Sequence, residues 1–476
     1  MFNHARAVSL TVSLMLVASF AAAELSSKAK RAEKMAAAGQ LTEAMAIYQE
    51  LMGKNAQKEP QLVKEGREGM ANCLLLQAKT AFDEKNFADS KTLALQILTT
   101  YKDTPSVNES AKTLALSQLE LSKQLVDGKK YDEGIAQCKE VKEKIPAGGD
   151  ALKADLDKFL SQLAGDLLKL AEGHIKSGKY EEAQKNLEWA SAAATDKAAS
   201  AKCQYTQGVC FRLAGQNDKA LAAYQDVTTD YPDSPFAATA HADLYLIHTQ
   251  LDNLPEALKS IQQAASLAPE NSDYLFKTAQ AYQALGKTED AKKAAKKAID
   301  LLQAELPKTY TNKENLQYKI GQAQLILGNY TEAAVEFDKA LARNADMVEA
   351  KKGLALALFN DKNYTGAVDA YDALIKKFSG DFDALNEKAS KDKIPADLAK
   401  KVEDLRKDIA YFHYQKGLSY EQLGEYDNAL AECRLGLEGV STQEAAATIK
   451  RIQTAAAQKK SETAPAPAAT TAPVEK

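Results

Sequence analysis

A short phrase returns along this chain at near-regular spacing. It reads Gly-Gln-Leu-Thr-Glu-Ala at 39–44, Gly-Lys-Lys-Tyr-Asp-Glu at 128–133 and Gly-Lys-Tyr-Glu-Glu-Ala at 178–183. It comes back as Gly-Gln-Asn-Asp-Lys-Ala at 215–220, Gly-Lys-Thr-Glu-Asp-Ala at 286–291 and Gly-Asn-Tyr-Thr-Glu-Ala at 328–333. Lys-Asn-Tyr-Thr-Gly-Ala at 362–367 and Gly-Glu-Tyr-Asp-Asn-Ala at 424–429 complete the series. Such recurrence marks one supersecondary unit stacked many times. The glycine suits a helix C-terminus, where a left-handed residue without a Cβ meets no clash. The acidic and polar residues after it suit the first turn of a new helix, at its positive dipole end. The closing alanine leaves room for a neighbouring helix. Apolar residues recur at helical spacing before the phrase, as Leu275, Ala279 and Tyr282 do, and after it, as Tyr224 and Val227 do. Each unit is therefore a helical hairpin with one apolar side.

A chain of 476 residues is too long for one core. Stacked hairpins avoid that limit, because each buries its apolar side only against its neighbours. No stretch alternates β-branched residues in the manner of a strand. The predicted fold is all-α, an α-solenoid of about ten hairpins wound into a superhelix. Net charge is −4 with both signs interspersed, which argues against a general nucleic-acid partner. The one basic stripe, Lys292, Lys293, Lys296 and Lys297, reads as a solvated helix face.

Residues 1–23 have the make-up of a signal peptide. His4 and Arg6 lead into an apolar run from Val8 to Phe20, and Ala21-Ala22-Ala23 offers a small-residue cleavage site before Glu24. An uncleaved anchor is the other reading of the same run. No second apolar run is long enough to span a bilayer, and no cysteine stands at the cleavage site to accept a lipid. The expectation is an exported protein, periplasmic or secreted. Residues 461–476 form an Ala/Pro/Thr-rich tail with too little apolar content to order itself.

Catalytic patterns do not emerge. There is no Gly-x-Ser-x-Gly elbow, phosphate-cradling glycine loop or Cys-x-x-Cys pair. Counted back from the phrase alanines, His174 and His248 share one position of the unit, and His241 and His413 share another. A position shared between units points to packing rather than to chemistry. His241 and His248 are two turns apart, a looser spacing than a zinc-binding helix uses. The five cysteines read as small core residues rather than a disulfide framework. No metal or cofactor is called for. Asn108-Glu-Ser, Asn329-Tyr-Thr and Asn363-Tyr-Thr fit the N-glycosylation pattern, but the latter two belong to turn phrases.

Residues 201–234 resemble the tetratricopeptide repeat, a 34-residue unit with a small/aromatic pattern ending in proline. Gly208, Phe211, Ala220, Tyr224 and Pro232 stand at its positions 8, 11, 20, 24 and 32. Units 238–271 and 272–305 abut without a gap, as do 314–347 and 348–381, and another good unit is 410–443. Weaker units fall at about 25–58, 71–104, 115–148 and 164–197. The resemblance divides the chain into degenerate repeats over 24–200, a regular array over 201–381 and a charged helix-plus-loop insertion at 382–409. A last repeat with a capping helix follows over 410–460. A looser likeness links Asp230-Tyr-Pro-Asp-Ser-Pro-Phe-Ala-Ala, 230–238, to repeat junctions in bacterial envelope proteins. The Tol–Pal coordinator and barrel-assembly repeat proteins are among them.

The resemblance implies a binding groove lined by the first helix of each repeat. Carried over residue by residue, it selects Lys202, Tyr205 and Arg212, then Phe276, Gln280 and Gln283, then Tyr318 and Gln322, and finally Tyr414. Such a lining implies a non-enzymatic scaffold for other proteins or their extended segments. Peptidoglycan or another polysaccharide is the alternative partner, stacked on the same aromatics. The aromatics have a second reading, as packing between repeats, and position alone leaves both open.

Overall fold

The computed structural model describes residues 23–24, 26–53, 60–144, 150–309, 311–389 and 396–463. Residues 1–22 of the predicted leader and 464–476 of the predicted tail lie outside them.

Every phrase closes one helix and opens the next. The first unit of the chain, Met1–Phe236, contains five hairpins. They are α1 (26–37) with α2 (Leu41–Leu51), α3 (Pro60–Asp83) with α4 (Phe87–Thr100), and α5 (Val107–Asp127) with α6 (Tyr131–Lys144). Then come α7 (Asp150–Lys176) with α8 (Tyr180–Ala193) and α9 (Lys197–Leu213) with α10 (Asn217–Asp230). The second unit, Ala237–Lys476, contains five more. These are α11 (Ala237–Gln250) with α12 (Leu254–Leu267), α13 (Ser272–Ala284) with α14 (Thr288–Glu305), and α15 (Lys313–Leu327) with α16 (Tyr330–Arg343). After them come α17 (Val348–Asn360) with α18 (Tyr364–Ala389) and α19 (Ala396–Gln422) with α20 (Tyr426–Leu435), closed by α21 (Thr442–Thr463). No strand occurs among the described residues. Each unit is an α-solenoid of helical hairpins.

The turn chemistry is the same throughout. Gly39, Gly178, Gly215, Gly286, Gly328 and Gly424 all have φ between +68° and +87°. Where glycine is missing, Lys85, Lys129, Asp252 and Lys362 take φ of +56° to +64° in its place. In the phrase at 128–133 it is Lys129, not Gly128, that turns left-handed, one residue later than the alignment of phrases implies. The left-handed residue lets two main-chain N–H groups turn back on the helix. Gly215 N–H donates to Arg212 C=O at 3.0 Å, and Gln216 N–H to Phe211 C=O at 2.9 Å. This satisfies carbonyls that a helix end otherwise leaves open. At Gly328 an added Cβ would meet nothing within 4 Å. Gly328→Ala should therefore cost only the backbone term, about 1 kcal/mol. Lys129→Gly should change stability in the opposite direction, by at most ~1 kcal/mol after the extra freedom of the unfolded chain is subtracted. Urea unfolding of both variants checks this; a stabilised Gly328→Ala would contradict it.

Packing is local, as a solenoid requires. In the first unit Tyr48, Leu51, Met70 and Ile97 share one buried cluster, and Leu156, Leu160, Leu187 and Ala190 share another. In the second, Ile299, Leu302 and Ile320 form one cluster and Tyr371, Phe378 and Phe412 another. Large rings fit because glycines face them. Tyr224 lies so close to Gly208 that a Cβ there would sit 2.6 Å from the ring. Phe337 is gripped between Gly321 and Gly353, where a Cβ would stand 2.9 and 2.5 Å away.

The stretch expected as an insertion forms no helix of its own among the described residues. Residues 382–389 prolong α18 and 396–409 make the first half of α19, which reach 26 and 27 residues. Neighbouring α13 and α17 have 13 each.

Candidate functional site

In the second unit, α13, α15, α17 and α19 are the first helices of successive hairpins, and their side chains meet across the gaps between them. Gln280 Nε2 donates to Gln322 Oε1 at 3.2 Å, and Gln322 Nε2 donates to the Tyr318 hydroxyl at 2.5 Å. The Tyr318 ring leans on Phe337 with centroids 6.0 Å apart. Beside this amide–phenol chain lies a charged one. Asp273 accepts from Lys277 at 2.8 Å on its own helix and from Lys319 at 2.6 Å on the next hairpin. Further along, Lys352 on α17 reaches Asp408 on α19 at 2.9 Å. Its ammonium stands over the Phe378 and Phe412 rings, at 5.1 and 5.3 Å.

Burial alone would raise the Asp273 carboxyl, but the hydrogen bonds from Lys277 and Lys319 outweigh it and hold its pKa below the ordinary value. Burial, helped by Glu349, raises the Tyr318 phenol. Asp273 is therefore ionised and Tyr318 neutral at neutral pH. The face offers amides, a phenol and neutralised charges, which is the chemistry of hydrogen bonding to an uncharged chain rather than of proton transfer.

Gln280, Tyr318 and Gln322 are brought together, half-buried, and Gln283 is exposed further along α13. Phe276 and Tyr414 are not on an open face, which corrects the expectation drawn from their position in the repeat. They are 5% and 1% exposed, and Tyr414 turns inward because Thr448 of α21 supplies its hydroxyl with a partner at 2.8 Å. The other three candidates lie in the first unit. Tyr205 stacks on Phe236 at 5.5 Å and tilts against Tyr224 at 5.7 Å. Arg212 Nε donates to the Tyr224 hydroxyl at 3.5 Å, and Lys202 pairs with Glu172 at 3.6 Å. Asp273, Lys277, Lys319, Lys352 and Asp408 escaped the sequence reading. The i,i+4 spacing of Asp273 and Lys277 was the one available signal.

Among the described residues no group of three or more His, Cys, Asp or Glu side chains is placed to hold a metal ion. His174 Nδ1 meets Asn186 Nδ2 at 3.0 Å, and His413 Nδ1 meets Glu432 at 2.6 Å. All five cysteines are buried and unpaired. Burial pushes the Cys203 and Cys433 thiols up to about 11, so both stay protonated at neutral pH. No described helix is long and apolar enough to cross a membrane.

Hairpins stacked by nearest neighbours, with side chains meeting across successive first helices, define a helical-repeat binding protein. Tetratricopeptide repeat profiles match residues 168–235 and 318–382, 273–301, and 410–438. These stretches are tetratricopeptide repeats, and such repeats mark a scaffold for protein–protein interaction. The first match begins at residue 168, within α7, and so includes α8 of the stretch expected to hold degenerate repeats. No curated protein matches the chain. Among solved structures, a tetratricopeptide repeat protein of Parabacteroides merdae is 14% identical, covering 62% of this chain and 99% of its own, with a TM-score of 0.37. PilF of Pseudomonas aeruginosa is 15% identical, covering 49% and 99%, with a TM-score of 0.37. MamA of Desulfovibrio magneticus RS-1 is 18% identical, covering 39% and 97%, with a TM-score of 0.31. At these scores the likeness says nothing about function.

Proposed function

We propose that the protein is an exported scaffold of the cell envelope that acts by binding and not by catalysis. An extended segment of a partner protein lies along the α13–α15–α17 face. The observation that carries this reading is the Gln280–Gln322–Tyr318 chain, whose amides bridge two hairpins and stay accessible. Amides present both donors and acceptors, so they match the alternating N–H and C=O of an extended backbone. The leader-like residues 1–23 support export.

Photo-crosslinking in intact cells tests the site. A photoreactive residue at exposed Gln283 should trap a partner, and one at exposed Lys296 on α14 should not. The Gln283 adduct should fall about tenfold with Gln322→Ala, the loss of roughly one to two hydrogen bonds. Equal trapping at both positions would sink the assignment. N-terminal sequencing of the same preparation should begin at Glu24; a start at Met1 would refute leader cleavage.

A further inference from the structure

The long hairpin of α18 and α19 points to a second role. Along α19 the residues Leu398, Val402, Leu405, Ile409 and Phe412 recur at alternating steps of four and three, the spacing of a coiled-coil seam. Phe378 and Phe412, in the half of the hairpin nearest the array, are buried. Further out, Leu385, Leu398, Val402 and Leu405 stay half-buried. Two helices alone leave the flanks of their seam uncovered, and here one flank opens as a cleft of about 550 Å³. Leu385, Leu405 and Ala384 line it, with Asp381, Asp408, Lys401 and Asp404 around them.

The charges say what fits. Asp381 already pairs with Lys377 at 3.5 Å and Asp408 with Lys352 at 2.9 Å. Lys401 and Asp404 are exposed, have opposite charge, and have no ion-pair partner among the described residues. They lie one helical turn apart on the same helix. A pair of this kind is self-complementary under a twofold axis, because each residue then faces its opposite on the other copy.

We propose that this hairpin is a self-association surface. Two copies pack antiparallel across the cleft as a four-helix bundle, and the twofold axis passes between Lys401 and Asp404. Lys401 of each copy meets the other copy's Asp404, and Leu385 and Leu405 become covered. The α18–α19 cleft adjoins the peptide site only through the Lys352–Asp408 pair, and the inference stands without that site.

Sedimentation equilibrium of the full chain, lacking only the leader, tests it. The wild type should dimerise in the micromolar range. Lys401→Glu and Asp404→Lys each put two like-charged contacts into the interface and should raise Kd about tenfold or more. Mixing the two variants should restore dimers as heterodimers, and the double variant K401E/D404K should dimerise like wild type. Both sites are exposed, so circular dichroism should be unchanged. A wild type that stays monomeric up to about 100 µM, an affinity too weak for a built interface, overturns the proposal. So does a dimer indifferent to both reversals, or a mixture that fails to recover.

Discussion

Phe337→Ala is expected to destabilise the second unit by about 3–5 kcal/mol. Phe337 is 0% exposed, and its ring fills the space between Gly321 of α15 and Gly353 of α17. Three helices from two hairpins therefore depend on one side chain. Neither glycine can refill the gap, and Ala333, Ala334 and Ala340 around it are already small. In a nearest-neighbour stack such a deletion weakens a junction rather than a shared core. Hydrogen exchange should show α15–α17 amides losing protection while those of α7 and α8 keep theirs. A loss below about 1 kcal/mol, or one spread evenly over both units, would contradict this account.

Lys416→Met should cost about 2–3 kcal/mol at neutral pH, less than a fully buried pair because Asp372 is half in water. Lys416 is 8% exposed, and its ammonium reaches Asp372 at 2.6 Å and Glu432 at 2.9 Å, while His413 holds the other Glu432 oxygen at 2.6 Å. Burial alone would raise the Glu432 carboxyl, but the hydrogen bonds from His413 and Lys416 outweigh it and hold its pKa below the ordinary glutamate value. A depressed carboxyl stabilises the fold above its unfolded pKa, and that contribution disappears as pH falls through the lower folded value. The wild type should thus lose stability on acidification below about pH 4.5 through this group. In the methionine variant burial of the carboxyl is no longer opposed by Lys416, so this part of the acid loss should shrink. Urea midpoints measured from pH 7 to pH 3 decide it; parallel curves for the two proteins would show that Glu432 draws nothing from Lys416.

The hairpins were legible because a left-handed turn restricts which residues can hold it, and glycine answers that restriction most often. At Lys85 and Asp252 the same backbone is held by residues with no glycine to announce it, so the phrase disappears there while the turn persists. The amide pair was legible for a similar reason, since Gln280 and Gln322 occupy the same slot of their repeats and the stacking brings equal slots together. Tyr414 was not, because its fate depends on Thr448, 34 residues later in a helix outside the repeat. Lys352 and Asp408 are 56 residues apart, and Asp408 belongs to the stretch that no repeat pattern covers. Periodicity speaks for what every unit shares and is silent about what one unit borrows from elsewhere.

Each left-handed turn satisfies its own carbonyls, and each apolar cluster draws on only a few consecutive helices. A whole hairpin is therefore close to a module. An in-frame copy of residues 314–347 would bring its own turn, its own ring over a glycine and its own amide, and would ask its new neighbours only for surfaces they already present. Such a chain can lengthen or shorten by duplication and loss of hairpins over evolutionary time, adding binding length without redesign of what was there before.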